Sequence, residues 1–418
     1  MGGNLVAAHF HLWSPRYCRI DSSLSGVFRM IEFEYWQLLF FPLFFILGWA
    51  AARIDIRHLV KESRALPRSY FQGLNFLLNE QPDRAIEAFV DAVKVDPQTV
   101  ELHFALGSLF RRRGETERAI RMHQSLVERD DLPQELKLQA MVALGLDFLK
   151  AGLLDRAEAV FEKLRASPLA EEAKRNLLEI YQLEKDWTKA IAIAAELPEV
   201  ATQKEVAEYY CELAAAELIR SRPEQAASHL QTALEKNRKC VRASQLQGDI
   251  AVQQERFLDA IACWQRIEQQ DPTYLALVAQ RLLDAFRKLE RRDEGLQLLR
   301  GYLERYPSLD LLDVVFRLVL ESEGVEAAYA LVRDELKRNP TLLGLDKLIE
   351  ARLLTATPEM RADLDLSRSI VQGYTRRLAR YRCDSCGFKV RQFYWRCPAC
   401  GGWETYSPRR TEEFDLTP

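Results

Sequence analysis

The sequence contains few of the residues that punctuate loop-rich folds. Its 418 residues include only 18 glycines and 16 prolines. Tight turns depend on these residue types, so their scarcity argues against a loop-rich all-β protein and favours helices. Six histidines leave little room for a histidine-rich metal enzyme, and eight cysteines are too few for a disulfide scaffold of this length. What the cysteines indicate therefore depends on their spacing.

An excess of charge of one sign is also missing. Lys and Arg number 58 against 61 Asp and Glu, which gives a formal net charge of −3. No overall basic field therefore favours nucleic acid as a partner. Hydrophobic residues make up 48% and charged residues 28%. These values are typical of a folded soluble chain and exclude a mainly disordered, collagen-like or polytopic membrane protein.

The motifs of common catalytic sites are absent. The chain has no Gly-rich phosphate loop, no His-Glu-x-x-His and no G-x-S-x-G sequence. Carboxylate pairs are frequent, but helices of this composition contain many of them, so none of these pairs indicates a catalytic site. The sequence therefore predicts no catalytic residues and no enzyme.

One long apolar run occurs, at residues 35–52, which read YWQLLFFPLFFILGWAAA without a formal charge. A helix of this length rises ~27 Å, close to the thickness of a bilayer core. We predict an uncleaved transmembrane anchor over residues 30–53. The basic residues that follow it place the body of the protein in the cytoplasm by the positive-inside rule: Arg53, Arg57, Lys61, Arg64 and Arg68. A cleaved signal peptide and a buried core helix are the alternatives.

Residues 1–29 mix His, Cys, Pro, Ser and aromatic residues without periodicity. Met30 stands directly before the acidic start of the apolar run. We interpret residues 1–29 as a mis-assigned start, with Met30 as the initiator, or as a short disordered extension.

A repeat is visible from residue 66 onward. Three glycines mark it, the first two 34 residues apart: Gly73, Gly107 and Gly145. Twelve residues after each glycine comes an alanine: Ala85, Ala119 and Ala157. Four residues later comes a ring-bearing side chain: Phe89, His123 and Phe161. Small residues are needed where two helices approach closely, and the larger ones fill the space between pairs.

The pattern continues with more drift through Ala190, Ala226 and Ala260, and prolines close two weaker units at Pro307 and Pro340. We predict about eight helix pairs over residues 66–340 and a degenerate helical repeat over 341–380. The array resembles the tetratricopeptide repeat family, whose helix pairs stack into a superhelix with a groove that binds proteins or peptides. By that resemblance, the candidates to line the groove are Glu101, Phe104, Ser108, Arg111 and Arg112. A solvated helix face with one core aromatic is the alternative.

The strongest chemical signal is YRCDSCGFKVRQFYWRCPACGGW, near the C-terminus. It places Cys383, Cys386, Cys397 and Cys400 in two C-x-x-C-G turns separated by ten residues. Four thiolates in two such turns form the tetrahedron that zinc or a single iron takes. The segment, residues 381–408, resembles the rubredoxin-type metal knuckle, and we favour zinc. We expect a small core around the ion from Tyr381, Phe388, Tyr394, Trp395 and Trp403.

Three further cysteines, Cys211, Cys240 and Cys263, lie singly in helical surroundings, and we expect them to be inert buried thiols. Basic residues outnumber acidic ones around the knuckle: Arg382, Lys389, Arg391, Arg396, Arg409 and Arg410. Zinc ribbons often contact nucleic acid, but the net charge and the predicted anchor make this a minority interpretation.

The order of anchor, repeat array and terminal four-cysteine knuckle, with segments such as SYFQGLNFLLNEQPDRAIEAF and LFRRRGETERAIRMHQSL, resembles the lipopolysaccharide assembly protein B family of Gram-negative bacteria over residues 30–408. The resemblance implies an all-α inner-membrane adaptor. It would couple the membrane protease FtsH to turnover of the lipid A deacetylase, with the metal domain packed on the repeats.

Two other functions stay open at this point. One is a rubredoxin-like electron carrier docked by the repeats, and the other is a generic membrane-tethered chaperone adaptor. The sequence leaves the oligomeric state undetermined, with a homodimer as one option.

Overall fold

The computed structural model describes residues 42, 45–49, 68–95, 99–197, 202–378 and 381–410. The chain divides into two compact units, Met1–Phe71 and Gln72–Pro418. In the first unit the described residues 42 and 45–49 are helical and exposed. Within the described part of the chain, no helix combines the length and the apolar character that a membrane crossing requires. Residues 1–29 and most of the run at 35–52 lie outside that part.

Consecutive helices follow one another from residue 68 to residue 378. The first four pairs are α1 (Arg68–Leu78) with α2 (Pro82–Val95), α3 (Val100–Arg113) with α4 (Thr116–Val127), α5 (Gln134–Lys150) with α6 (Leu154–Leu164), and α7 (Ala170–Glu184) with α8 (Trp187–Ala195). Next come α9 (Gln203–Ile219) with α10 (Pro223–Lys236), then α11 (Val241–Gln253) with α12 (Phe257–Gln265).

A short helix α13 (Ile267–Gln270) and a 3₁₀ turn (Pro272–Tyr274) lead into the last pairs. These are α14 (Leu275–Lys288) with α15 (Arg292–Arg305), α16 (Leu309–Ser322) with α17 (Val325–Arg338), and α18 (Leu342–Leu353) with α19 (Pro358–Leu378). Two short strands, β1 (Tyr381–Arg382) and β2 (Lys389–Val390), follow. The predicted helical repeat array with a small C-terminal domain is therefore confirmed.

The spacing of glycine and ring residues has a direct physical cause. A Cβ added at Gly107 would lie 2.4 Å from the His123 ring, and one at Gly145 would lie 2.6 Å from the Phe161 ring. The ring of each second helix therefore lies against the bare backbone of the first helix. The alanines of the pattern, such as Ala119, are completely buried. Close approach of the two helices thus requires glycine on one side and a small residue nearby on the other.

Helix ends follow the local sequence. Thr202 and Glu205 form a capping box at the start of α9, in which each side chain accepts a hydrogen bond from the backbone N–H of the other residue. Gly114 ends α3 in the left-handed conformation, with φ of 86°. The helices α15 and α17 each end two residues before a proline, Pro307 and Pro340, since proline cannot continue a helix.

The core is continuous across neighbouring repeats rather than confined to one pair. One cluster of buried side chains runs from Val241 to Ala351 and includes Trp264, Phe286 and Phe316. A second cluster runs from Val142 to Tyr209 and also contains Trp403 of the C-terminal domain. The C-terminal domain therefore packs into the hydrophobic core of the array.

Candidate metal centre and its contact with the repeats

Two turns of equal geometry present the four predicted cysteines. In the first, the N–H of Gly387 donates to the carbonyl of Cys383 at 2.8 Å, and in the second Gly401 donates to Cys397 at 2.9 Å. Both glycines have left-handed backbones, with φ of 74° and 73°. Side chains with a Cβ are strained in this conformation, which explains why glycine follows each C-x-x-C pair.

The four sulfurs converge on one point. All of them lie within 4.8 Å of one another. Cys383 Sγ is 3.8 Å from Cys400 Sγ, and Cys386 Sγ is 3.8 Å from Cys397 Sγ. A tetrahedral zinc site with Zn–S bonds of about 2.3 Å places its sulfurs about 3.8 Å apart. The donor set and its spacing thus fit a tetrahedral thiolate site.

Nearby donors favour the ionised form of two of these thiols. Burial opposes ionisation of Cys383, but hydrogen bonds from the Thr405 hydroxyl and from backbone N–H groups outweigh it and lower the pKa of this thiol to about 6. The pKa of Cys397 is lowered in the same way, with the Tyr406 hydroxyl 3.6 Å from its sulfur. Neighbouring sulfurs contribute to raising the pKa of Cys386 to about 12. Four thiolates this close together need a cation to offset their repulsion.

The expected aromatic core around the ion is only partly correct. Phe388 and Tyr394 are exposed, so these two predictions were wrong. The buried rings beside the sulfurs are Tyr381, as predicted, and Tyr406, which the sequence reasoning missed. Trp395 and Trp403 contact the repeats instead of enclosing the ion. The aromatic residues of so small a domain are shared between its own core and its docking surface.

The first docking contact centres on Trp403 and Arg396. Trp403 packs edge-on against Trp187 of α8 and Tyr209 of α9, with ring centroids 5.7 and 6.0 Å apart. Arg396 donates to the backbone carbonyl of Gln182 in α7 at 2.9 Å and to its side-chain oxygen at 3.3 Å. The same guanidinium lies over the Trp403 ring. This contact joins two repeats to the second cysteine turn.

The second docking contact is an aromatic stack. Trp395 lies parallel to Tyr274, with centroids 5.4 Å apart and an interplanar angle of 5°. Phe393 meets both rings edge-on. Burial raises the pKa of Tyr274 well above its usual value, so its hydroxyl stays protonated near neutral pH.

The third docking contact is ionic. Arg410 donates to both carboxylate oxygens of Asp310 in α16, at 2.9 Å from Nη2 and 3.1 Å from Nε. The Tyr381 hydroxyl donates to the same carboxylate at 3.0 Å. On the opposite side, Lys204 pairs with Glu404 at 2.7 Å. Two of the basic residues around the knuckle, Arg396 and Arg410, therefore bind the array rather than facing solvent.

The candidate groove residues of the second repeat have different surroundings. Glu101 and Arg112 are exposed, while Phe104 and Ser108 are half-buried. Arg111 is engaged within the protein, because it donates to buried Asp147 of α5 at 2.7 Å. Asp147 also binds the Nδ1 of His123. Arg111 thus joins adjacent repeats.

The prediction of buried thiols is confirmed for Cys211 and Cys240, whereas Cys263 is only partly buried. The first two are not isolated, contrary to what their sequence positions suggested. Cys211 Sγ lies 3.6 Å from Cys240 Sγ, and both side chains are completely buried. They occupy α9 and the residue before α11, which the stacking of repeats brings together. Their separation of 29 residues matches no motif that sequence reasoning could have used.

Fold and site together define a class of protein, and comparison with known families agrees. A family model described as "Tetratricopeptide repeat" matches residues 72–130, 142–203 and 211–274. Another, described as "Rubredoxin metal binding domain", matches residues 381–408. The protein is a tetratricopeptide-repeat protein with a C-terminal metal-binding domain. The repeats indicate protein–protein interaction and a non-enzymatic scaffold.

Comparison with curated proteins identifies the family within this class. "Lipopolysaccharide assembly protein B" of Escherichia coli strain K12 is 33% identical over 382 residues, which cover 90% of this chain and 98% of the relative. The protein of the same name from Haemophilus influenzae is 31% identical and is covered to 99%. The chain belongs to the lipopolysaccharide assembly protein B family.

Similarity to solved structures is weaker. The structure described as Naa15/Naa10 bound to HypK-THB has a TM-score of 0.35 and 15% identity, with 74% of this chain and 54% of that chain covered. A TM-score this low does not show that the two chains have the same overall shape.

Proposed function

We propose that this chain is an inner-membrane scaffold that regulates lipopolysaccharide biosynthesis. The observation that carries the proposal is its alignment with nearly the whole length of relatives named for lipopolysaccharide assembly. A helical repeat array offers a long surface for protein partners. The finer form of the proposal is that it couples the membrane protease FtsH to turnover of the lipid A deacetylase.

The proposed organisation follows from the sequence. Residues 30–53 anchor the chain in the inner membrane, with the bulk of the protein on the cytoplasmic side. Residues 66–340 form the array, 341–380 a degenerate repeat and 381–408 the metal knuckle. The anchor confines the scaffold to the plane of the membrane protease, which raises their effective concentration for each other.

The metal knuckle has a structural role in this proposal. Cys383, Cys386, Cys397 and Cys400 hold one ion and leave no position open for a substrate, and zinc is favoured over iron as the ion of a structural site. The docking contacts connect the knuckle to helices from α7 to α16. The metal domain would thus fix the relative positions of several repeats, and with them the surface that partners meet.

Depletion of the protein in its native host tests the proposal. We expect the half-life of the lipid A deacetylase to rise and lipopolysaccharide to accumulate. Full-length protein should restore the short half-life. A Trp403→Ala variant, in which the knuckle is loosened, should restore it poorly, whereas the matched control Phe388→Ala, at an exposed aromatic of the same domain, should restore it fully.

An unchanged deacetylase half-life on depletion would refute the coupling to FtsH. Metal analysis addresses the rival function: bound iron with a reversible visible absorption band would favour an electron carrier, and bound zinc would exclude it. Capture of other clients with an unchanged deacetylase would favour a general chaperone adaptor.

A further inference from the structure

A second cluster of metal-ligating side chains lies outside the knuckle. Glu208, Cys211 and Cys240 each place one donor atom within 4.8 Å of the others, and all three side chains are completely buried. The sulfur–sulfur distance is 3.6 Å, and Glu208 Oε1 is 3.5 Å from Cys240 Sγ. The sulfur spacing is close to the 3.8 Å found between sulfurs of the knuckle.

The Glu208 carboxylate is held as a metal-binding carboxylate usually is. One oxygen, Oε2, accepts a hydrogen bond from Arg242 at 3.1 Å, while the other faces the thiols. Outer partners of this kind orient ligating carboxylates in metal sites. Arg242 is itself positioned by Glu212 at 2.8 Å. One oxygen of Glu208 therefore stays directed at the two sulfurs.

A second acidic side chain, Glu404 of the metal domain, lies near Glu208 but outside the cluster. Glu404 lines a cavity of about 380 Å³ together with Lys204, Lys236 and Lys239, and none of the three clustered side chains lines it. Because three lysines line that cavity, the negative charge that would attract a cation is that of Glu208 and the two thiolates themselves.

We propose that Glu208, Cys211 and Cys240 form a second site for a thiophilic divalent cation of the zinc class. Two thiolates and one carboxylate oxygen are ligands that zinc accepts, and tetrahedral geometry leaves the fourth position to a water molecule. The site joins α9 to the residue before α11, so occupancy would reinforce the stacking of these two repeats. The proposal does not depend on any role in lipopolysaccharide biosynthesis.

Zinc stoichiometry of the purified full-length protein tests it. After saturation with zinc chloride and removal of the excess, we expect two equivalents per chain by elemental analysis. Cys211→Ala combined with Cys240→Ala should leave one equivalent, in the knuckle. Cys263→Ala is the matched control, because this cysteine lies outside the cluster, and it should retain two equivalents.

A milder variant guards against misfolding of the double variant. Glu208→Gln keeps the shape of the side chain but removes its charge, and should weaken binding at the second site by at least tenfold while far-UV circular dichroism stays unchanged. Cobalt(II) reports the same site, since its thiolate charge-transfer absorption should rise in two steps on titration.

Saturation of the wild type at one equivalent of zinc, with either free thiols or a Cys211–Cys240 disulfide, would overturn the proposal.

Discussion

Trp403 shows how one side chain links two parts of the molecule. It belongs to the C-terminal domain, yet its side chain packs against Trp187 and Tyr209 of the array and is only 8% exposed. The knuckle region has few buried residues of its own, so its position depends on such contacts. The residue that holds the domain in place is therefore distinct from the cysteines that would hold the ion.

Replacement of this residue should separate docking from metal binding. Trp403→Ala removes a large buried ring, and such truncations typically cost about 3–5 kcal/mol. We expect protease cleavage before or within residues 381–410 to accelerate while metal content stays the same. Phe388→Ala, at an exposed ring, should cleave like the wild type. Equal cleavage of both variants would show that Trp403 does not hold the domain.

At Gly107 the helix backbone and the His123 ring lie so close together that a side chain has no room. Gly107→Ala would force a methyl group into the His123 ring, at a cost of about 1–3 kcal/mol. Gly373→Ala in α19 meets nothing within 4 Å and should instead stabilise its helix by about 0.5–1 kcal/mol. Thermal unfolding of the two variants should shift in opposite directions. A fall in melting temperature of both would contradict this assignment.

At the scale of helices, a buried polar group joins the second and third repeats. Asp147 of α5 is completely buried and binds Arg111 of α3 and His123 of α4. Where the other repeats place Phe89 and Phe161 against their glycines, this repeat places His123. The histidine and the aspartate therefore act as a matched pair, because either alone would be a buried polar group without its partner.

The pair predicts a non-additive effect. Asp147→Ala should cost about 3–5 kcal/mol, since it breaks a buried polar contact. Adding His123→Phe, the residue type of the neighbouring repeats, should recover part of that loss. Denaturant unfolding of the two single variants and the double variant measures the coupling. Strict additivity of the three changes would mean that the two side chains do not act together.

We expect the two-strand C-terminal domain to depend on a bound ion for folding, and the array to fold without one. Changing Cys383 and Cys386 to serine should release one metal equivalent and unfold residues 381–410, because a domain this small lacks a sufficient core. The array should keep its helical circular dichroism, since each repeat is stabilised by its neighbours. Elemental analysis of the double variant measures the metal content, and circular dichroism measures the helical content. Retention of that equivalent would show that the ligand assignment is wrong.

At the scale of the whole molecule, the proposed anchor would decide where the scaffold works. We expect the protein to stay in the membrane fraction after an alkaline wash, because the run at residues 35–52 carries no formal charge. A variant lacking residues 1–52 should be recovered folded in the soluble fraction. A shortened soluble wild-type protein that begins near Arg53 would instead indicate a cleaved signal peptide.

The sequence by itself determined the parts of the molecule whose geometry is local. The glycine and the ring residue of one repeat are 16 positions apart, and a metal-binding turn needs only the five residues C-x-x-C-G. Each pattern therefore lies within a short stretch of chain. Such patterns reflect helix pairing and turn conformation, which nearby residues fix. The repeat array and the grouping of four cysteines were therefore predictable.

Only the tertiary structure decided how these parts meet. Arg396 and Gln182 are 214 residues apart, and Asp310 and Arg410 are 100 apart. No local period encodes these pairs, because they depend on the cumulative rotation of one repeat on the next. The same stacking brings Cys211 to Cys240, which the sequence shows only as two isolated thiols in separate helical stretches. Contacts between distant repeats are thus set by the geometry of the assembled array, and they position both the metal domain and the second cluster.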